Sequence, residues 1–326
     1  MTFPNSSPRF RSLRNAAAAF TTVGLLSIGT IAPFHFGLTN AAAQEAAPAP
    51  ASAPNPVATA SAQVVAVPGQ VAIKDGESIG FMGDSITAGG AGSPSGYVRL
   101  VISGLKAIGR TVTPYPAGIS GHKSNQMLAR LDKDIIEKKP TWMTLSCGVN
   151  DVWHGPKGVP LPEYKENITK IIDKCQAAGI KVMILTSTMI REDGSTAENK
   201  KLAEYNDFLR ALATEKKCLL ADLNADMQKI VSEKKAAGQQ GDTLTVDGVH
   251  MNPLGNIMMA TGVLRAFGLS DEQMKTVNTS WDTVTTTVPA SITLRDYKLL
   301  QDAAAKTKRN IGAVISDSVK VTPPAE

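Results

Sequence analysis

Apolar positions along the chain fall into two alternating patterns. Short, nearly continuous apolar runs occur at "SIGFMG" (78–83), "TVTPYPAG" (111–118), "TWMTLSCG" (141–148), "KVMILTSTMI" (181–190) and "CLLADL" (218–223). Runs of this length, bounded by glycine, proline and polar residues, predict strands buried on both faces. Between them lie longer stretches around Tyr97–Ile108, Asn125–Lys138, Pro162–Ala178, Thr196–Lys217, Ala225–Ala237 and Pro253–Phe267. Their apolar residues recur three and four apart, the period of a helix with one buried face. Five strands, each followed by a helix, predict a parallel sheet covered on both sides. The expected architecture is a doubly wound, five-stranded α/β domain of three α/β/α layers, spanning residues 64–269.

The two ends read differently. Residues 1–43 carry Arg9, Arg11 and Arg14 and no acid, then an apolar run from Ala16, then small residues at Ala41-Ala42-Ala43. That order predicts a secretory leader with an A-x-A cleavage site. Thr21, Thr22, Pro33 and His35 interrupt the run, which argues against a permanent membrane anchor, and no cysteine near the cleavage site suggests a lipid anchor. Export to the periplasm or the outside of the cell is expected, without stable membrane insertion. Residues 44–63 are Ala- and Pro-rich and predict an extended linker. Residues 270–326 combine the Thr-rich, irregular "VNTSWDTVTTTVPAS" with one amphipathic helix over "ITLRDYKLLQDAAAKTKRNIGAVISDSV". This C-terminal extension is too small for its own core and is expected to be dispensable for chemistry.

Charge and cysteine count narrow the picture. The formal net charge is +5, and three of the positives are leader arginines. So small a surplus supports no nucleic-acid or anionic-membrane partner. Cys147, Cys175 and Cys218 are odd in number and lie within apolar runs, which favours buried free thiols over a disulfide framework. A Cys175–Cys218 bridge is the one pairing left open.

The ends of the predicted strands carry residues that a buried strand does not need. The first ends at Gly83-Asp84-Ser85. The second runs into Gly118 and Gly121, and the third is followed by Asn150. Asp247 and His250 stand three apart just before Asn252 and Pro253, a helix N-cap and first-turn pair. Any one of these reads equally well as a polar turn. Together they fall on one rim, at the carboxyl ends of the strands, where open α/β sheets place their chemistry.

In "GDSITAGG", "GISGHKS", "GVND" and "DGVHMN", taken in that order, the chain resembles the SGNH (GDSL) hydrolase superfamily over residues 78–267. The resemblance implies a flavodoxin-like sheet and a serine esterase. It assigns Ser85 as nucleophile, His250 as base and Asp247 as the group that orients it. The oxyanion hole would be the backbone N–H groups of Ser85 and Gly121 with the Asn150 side-chain amide. The chemistry is consistent with those residue types. A serine hydroxyl needs an imidazole to take its proton, the imidazole needs a carboxylate to hold its tautomer, and the oxyanion needs fixed donors. Glycine at 121 would also let a substrate oxygen approach the backbone. His35 leaves with the leader, so the base is His122, His154 or His250, and only His250 has a carboxylate at a useful spacing.

His122 and His154, with Trp153, either serve a structural role or line the substrate pocket. His122 stands where many members of the superfamily carry Asp or Asn. Asp84 precedes the serine and points to the other face of the strand, so it is expected to support the neighbouring loop. The segment "GGAGSPSG" lacks the lysine of a phosphate-binding loop and reads as a mobile active-site loop. No cofactor or metal is called for. Aromatic residues make up 5 % of the chain and no long apolar lid is visible, which disfavours a lipase for long-chain fats. The expected substrate is a small-molecule or polysaccharide ester, with acetyl groups on a carbohydrate favoured by Trp153 and His154. A lysophospholipase or short-chain acyl esterase is the alternative. Outside the class stand a metallohydrolase using His122, His154, His250 and Asp247, and a non-catalytic glycan-binding relative. The first lacks H-x-H or H-E-x-x-H spacing, and the second would not need the complete set of five site residues.

Overall fold

The computed structural model describes residues 66–239, 241–287 and 292–318; the leader and linker expectations fall on residues outside these. Five strands, β1 Ser78–Gly83, β2 Thr113–Gly118, β3 Trp142–Ser146, β4 Lys181–Leu185 and β5 Leu219–Ala221, form one sheet. Its order is β2-β1-β3-β4-β5 and every pairing is parallel. The helices are α1 Ser85–Gly92, α2 Tyr97–Ala107, α3 Ser124–Asp134, α4 Val149–Trp153, α5 Leu161–Ala177, α6 Ala197–Glu215, α7 Leu223–Ala236, α8 Pro253–Ala266, α9 Asp271–Trp281, α10 Leu294–Thr307 and α11 Ile311–Ser318. Helices cover both faces of the sheet, as the alternation of patterns predicts. Strand order reverses between β1 and β3, and a doubly wound sheet opens a crevice beyond its strand ends at that point.

Local chemistry explains the sheet. Central β3 is buried at every position, so it carries the continuous apolar run of a strand covered on both faces. Pro114 and Pro116 sit two apart in β2, an edge strand, where both missing N–H groups face the unpaired side. Cys147, Cys175 and Cys218 are buried and unbridged; burial pushes the Cys175 and Cys218 thiols up to about 12. Among the described residues no helix is long and apolar enough to cross a membrane.

Several elements differ from the sequence expectation. The run 181–190 stops being strand at Leu185 although Thr186–Ile190 stay buried. Beyond that point side chains replace the ladder: Asn206 Oδ1 accepts from Ser187 N–H (2.8 Å) and Asn199 Oδ1 from Ile190 N–H (2.9 Å). The glycine-rich stretch after Ser85 is not a loop at its start. Ser85–Gly92 is helical, with Asp84 as N-cap accepting from Ile86 N–H at 2.9 Å. Glycine costs helix stability, but a Cβ on Gly90 would come 2.5 Å from the Tyr97 ring, so only glycine lets α1 and α2 pack this closely.

The C-terminal region also departs from expectation. Val277–Trp281, read as irregular, forms the end of α9, which a Ser270–Gln273 capping box starts. The single expected helix is two, α10 and α11, separated at Lys308, which has a φ of 54°. Met274, Val277 and Trp281 are buried, and Trp281 Nε1 donates to Leu100 O (3.2 Å) and Ser103 Oγ (3.1 Å) on α2. α9 is therefore part of the domain's core rather than an appendage. Trp281→Ala is expected to lower unfolding free energy by about 3–5 kcal/mol, the range for emptying a buried aromatic site. An unchanged denaturant midpoint would show that α9 contributes nothing to the core.

Candidate active site

Three strand ends and one loop build the site. β1 delivers Ser85, the first residue of α1, whose backbone N–H has no carbonyl partner within the helix. The loop after β2 carries Gly121 and His122. A short α4 after β3 presents Asn150, Trp153 and His154.

The fourth part, residues 243–252, is shaped by its own hydrogen bonds. Thr245 and Met251 form an antiparallel bridge, and Val246 N–H donates to His250 O at 2.9 Å. Inside that loop Asp247 Oδ1 accepts from Val249 N–H (3.0 Å) and His250 N–H (2.8 Å). This folds the loop so that Asp247 Oδ2 lies 2.6 Å from His250 Nδ1. His250 Nε2 lies 2.9 Å from Ser85 Oγ. With Nδ1–H donated to the carboxylate, Nε2 is the nitrogen left to accept the serine proton. Burial raises the Asp247 carboxyl, but the hydrogen bonds from His250 and Val249 outweigh it and hold the group below its ordinary value. Asp247 is thus a carboxylate where the imidazole needs one.

Gly121 has a φ of 75°, and a Cβ there would meet no protein atom within 4 Å. Glycine is required by the left-handed backbone, not by crowding. The Asn150 amide is fully engaged. Its Nδ2 donates to Asp84 Oδ2 and His122 O, each at 3.2 Å, and its Oδ1 lies 3.2 Å from His154 Nε2. Asp84 therefore supports a neighbouring element, as its strand position predicts, and does not reach His250 by a hydrogen bond. Burial raises its carboxyl to about 6 against the opposing bond from Ile86 N–H.

A cavity of about 230 Å3 opens beside Ser85 and His250, lined further by Gly89, Ser93, Val246 and Thr286. His122, Trp153 and His154, the alternative pocket residues, do not line it. His122 Nδ1 accepts from Arg130 Nε at 3.1 Å; burial and then the Arg130 charge lower its pKa. His154 holds Asn150, and Trp153 stacks on His154 with ring centroids 6.2 Å apart. Tertiary packing puts these three on the Asn150 side of the serine. Among the described residues no group of three His, Cys, Asp or Glu side chains is placed to hold a metal.

Two residues that frame the site have no motif to announce them. Arg130 on α3 donates to Gly83 O and Ala117 O, both at 2.8 Å, tying together the ends of β1 and β2. Glu192 is buried and accepts from Thr243 N–H (2.7 Å), Leu244 N–H (2.8 Å) and Thr245 Oγ1 (2.7 Å), at the root of the Asp247–His250 loop. Arg191 and Glu192 both have positive φ, a costly backbone that this anchoring offsets. Glu192→Ala would leave three donors without an acceptor, at about 1–3 kcal/mol each. The expected result is a lower melting temperature and a fall in kcat of about tenfold or more, read on a small ester with the protein still folded. Unchanged kcat would show that the loop holds its shape without Glu192.

A doubly wound sheet with a serine, an imidazole and a carboxylate joined at its switch point has the groups that acyl transfer needs, from esters and amides alike. The chain is a member of the GDSL-like lipase/acylhydrolase family, whose model matches residues 81–256. An acetylxylan esterase of Geobacillus stearothermophilus is 26 % identical over 221 residues, 60 % of this chain and 96 % of that protein. A solved acetyl xylan esterase structure superposes with a TM-score of 0.53 at 31 % identity, covering 57 % of this chain and 97 % of the other. Esterase TesA of Pseudomonas aeruginosa is 33 % identical over 105 residues, 32 % of this chain and 51 % of that protein. The protein is an acyl esterase.

Proposed function

We propose that the protein is an exported esterase that removes acetyl groups from a carbohydrate through a Ser85–His250–Asp247 triad. The observation that carries the triad is the unbroken hydrogen-bond chain from Asp247 Oδ2 through the His250 ring to Ser85 Oγ. In the first half-reaction Ser85 Oγ attacks the acyl carbon while His250 Nε2 takes its proton. The carbonyl oxygen becomes an oxyanion, facing the backbone N–H groups of Ser85 and Gly121 and the Asn150 amide. Asn150 takes part by exchanging one of its two 3.2 Å bonds for the oxyanion. The bond to the alcohol oxygen then breaks, and His250 returns the proton to that oxygen. In the second half-reaction water adds to the acyl-enzyme, giving its proton to His250. Collapse then frees the acid and restores the serine hydroxyl. Asp247 holds the imidazole in the tautomer that both halves require.

The carbohydrate and acetyl parts of the reading are supported by the acetylxylan esterase relatives, and export by the order of charge, apolar run and small residues in 1–43. One experiment tests mechanism and substrate together. Stoichiometric labelling of Ser85 by a phosphonofluoridate is expected, alongside acetate release from acetylated polysaccharides. Label on another residue would remove the triad. Turnover of nitrophenyl acetate without acetate release from any polysaccharide would leave a short-chain esterase.

A further inference from the structure

The chain beyond α9 returns to the site. Val284 N–H donates to Trp281 O at 2.9 Å, and two residues later Thr286 Oγ1 lies 2.9 Å from Ser95 Oγ. Ser95 sits in the turn between α1 and α2, is 8 % exposed, and lies 3.4 Å from Ser93 Oγ. The segment 282–287 is thus fixed at one end by the Trp281 anchor on α2 and tied at the other by a row of three hydroxyls. Thr286 and Thr287 form part of the wall of the cavity that Ser85 and His250 line. Both lie beyond position 256, where the family match ends.

Proton transfer decides which half of an ester this cavity takes. Of the three oxyanion donors, Ser85 lines the cavity as the attacking residue, while Gly121 and Asn150, which fix the direction in which the oxyanion points, lie outside it. The departing oxygen must receive its proton from His250, so the alcohol it belongs to lies on the side that His250 faces. His250 lines the cavity. We infer that the cavity is the alcohol subsite and that the 282–287 strap, through Thr286 and Thr287, is its specificity-determining wall. Each hydroxyl has one donor and two acceptor positions, so Ser93, Ser95 and Thr286 retain hydrogen-bonding capacity beyond the bonds between them. A wall of this kind fits a polyhydroxyl alcohol of about one sugar unit. The inference rests on the Ser85–His250 reading and adds to it the residues that select the alcohol.

The test varies each half of the ester separately in wild type, Thr286→Phe and Thr286→Val. One series holds acetate constant across a peracetylated monosaccharide, glycerol triacetate and nitrophenyl acetate. The other holds nitrophenol constant across acetate, butyrate and octanoate. Thr286→Phe, which fills the cavity, is expected to change the kcat/KM ratio between sugar acetate and nitrophenyl acetate tenfold or more. The acetate-to-butyrate ratio should stay within twofold of wild type. Thr286→Val keeps the shape and removes the hydroxyl, and should lower the sugar ratio severalfold. A shift in the acyl-length ratio with the alcohol ratio intact would overturn the inference and make the cavity an acyl site. Two unchanged ratios would overturn it by removing the strap from substrate contact. If wild type fails on the sugar ester, the carbohydrate reading falls alone, because glycerol triacetate against nitrophenyl acetate still reads the wall.

Discussion

Ser85→Ala is expected to lower kcat on a small activated ester by about a millionfold, the loss seen when a serine triad loses its nucleophile. His250→Ala should fall about as far, and the double variant hardly further, because the two side chains act as one unit across a 2.9 Å bond. Asp247→Asn keeps the shape of the loop but removes the charge that holds the imidazole tautomer, so a loss of about 10⁴-fold is expected. The measurement is single-turnover kinetics on nitrophenyl acetate, with circular dichroism to verify the fold. His122 and His154 provide the control. His122 is bonded to Arg130 and His154 to Asn150, with neither on the serine. If His122→Ala or His154→Ala abolished turnover while His250→Ala was mild, the base would be misassigned.

The second large effect concerns Asn150 and the buried acid beneath it. If Asn150 is an oxyanion donor, as proposed, Asn150→Ala should lower kcat about 10²–10³-fold. Asp84→Asn is expected to produce a comparable loss without touching substrate. Asn at 84 keeps the cap on Ile86 N–H only by turning its own amide towards Asn150 Nδ2, setting donor against donor. Asn150 then has to flip, placing its oxygen where the oxyanion needs a donor. In the double variant the losses should be far from additive, since both act through one amide.

Asp84 also predicts a pH-dependent stability. Its carboxyl is raised by burial from 3.8 to about 6 in the folded protein. Below 3.8 it is protonated in both folded and unfolded states and has no effect on their balance. Between 3.8 and 6 the unfolded chain releases the proton and the folded one keeps it, so stability falls as pH rises, by roughly 3 kcal/mol in all. Above 6 the loss is constant. Asparagine cannot ionise, so wild-type stability relative to Asp84→Asn should decline across this window and level off above it. Parallel denaturation midpoints from pH 3.5 to 8 would show that Asp84 ionises as it would in water.

What was legible in the sequence was local or periodic. The apolar runs marked all five strands, because a strand buried on both faces must be apolar at nearly every position. The helix periods marked the six major crossover and covering helices for the same kind of reason. Asp247 and His250 were readable as a pair because a three-residue spacing in one loop is enough to join them, and the motif blocks placed Ser85, Gly121 and Asn150 on one rim. Where local pattern misled, tertiary contacts had overridden it. The glycines after Ser85 look like a loop until Tyr97 packs against Gly90, and the buried stretch 186–190 looks like a continuation of the strand until Asn199 and Asn206 satisfy its backbone.

The sequence by itself therefore determined the order of layers and the rim on which Ser85, Asn150, Asp247 and His250 stand. Each of these depends on residue type and short spacing. Only the tertiary structure decided which distant groups complete the site. Glu192 meets Thr243–Thr245 across about fifty residues, Arg130 joins two strand ends, and Trp281 brings Thr286 to Ser95 across 191 positions. No pattern in the chain announces such partners. A buried backbone N–H or hydroxyl needs an acceptor only once folding has removed it from water, and which acceptor stands within reach is a property of the packed chain.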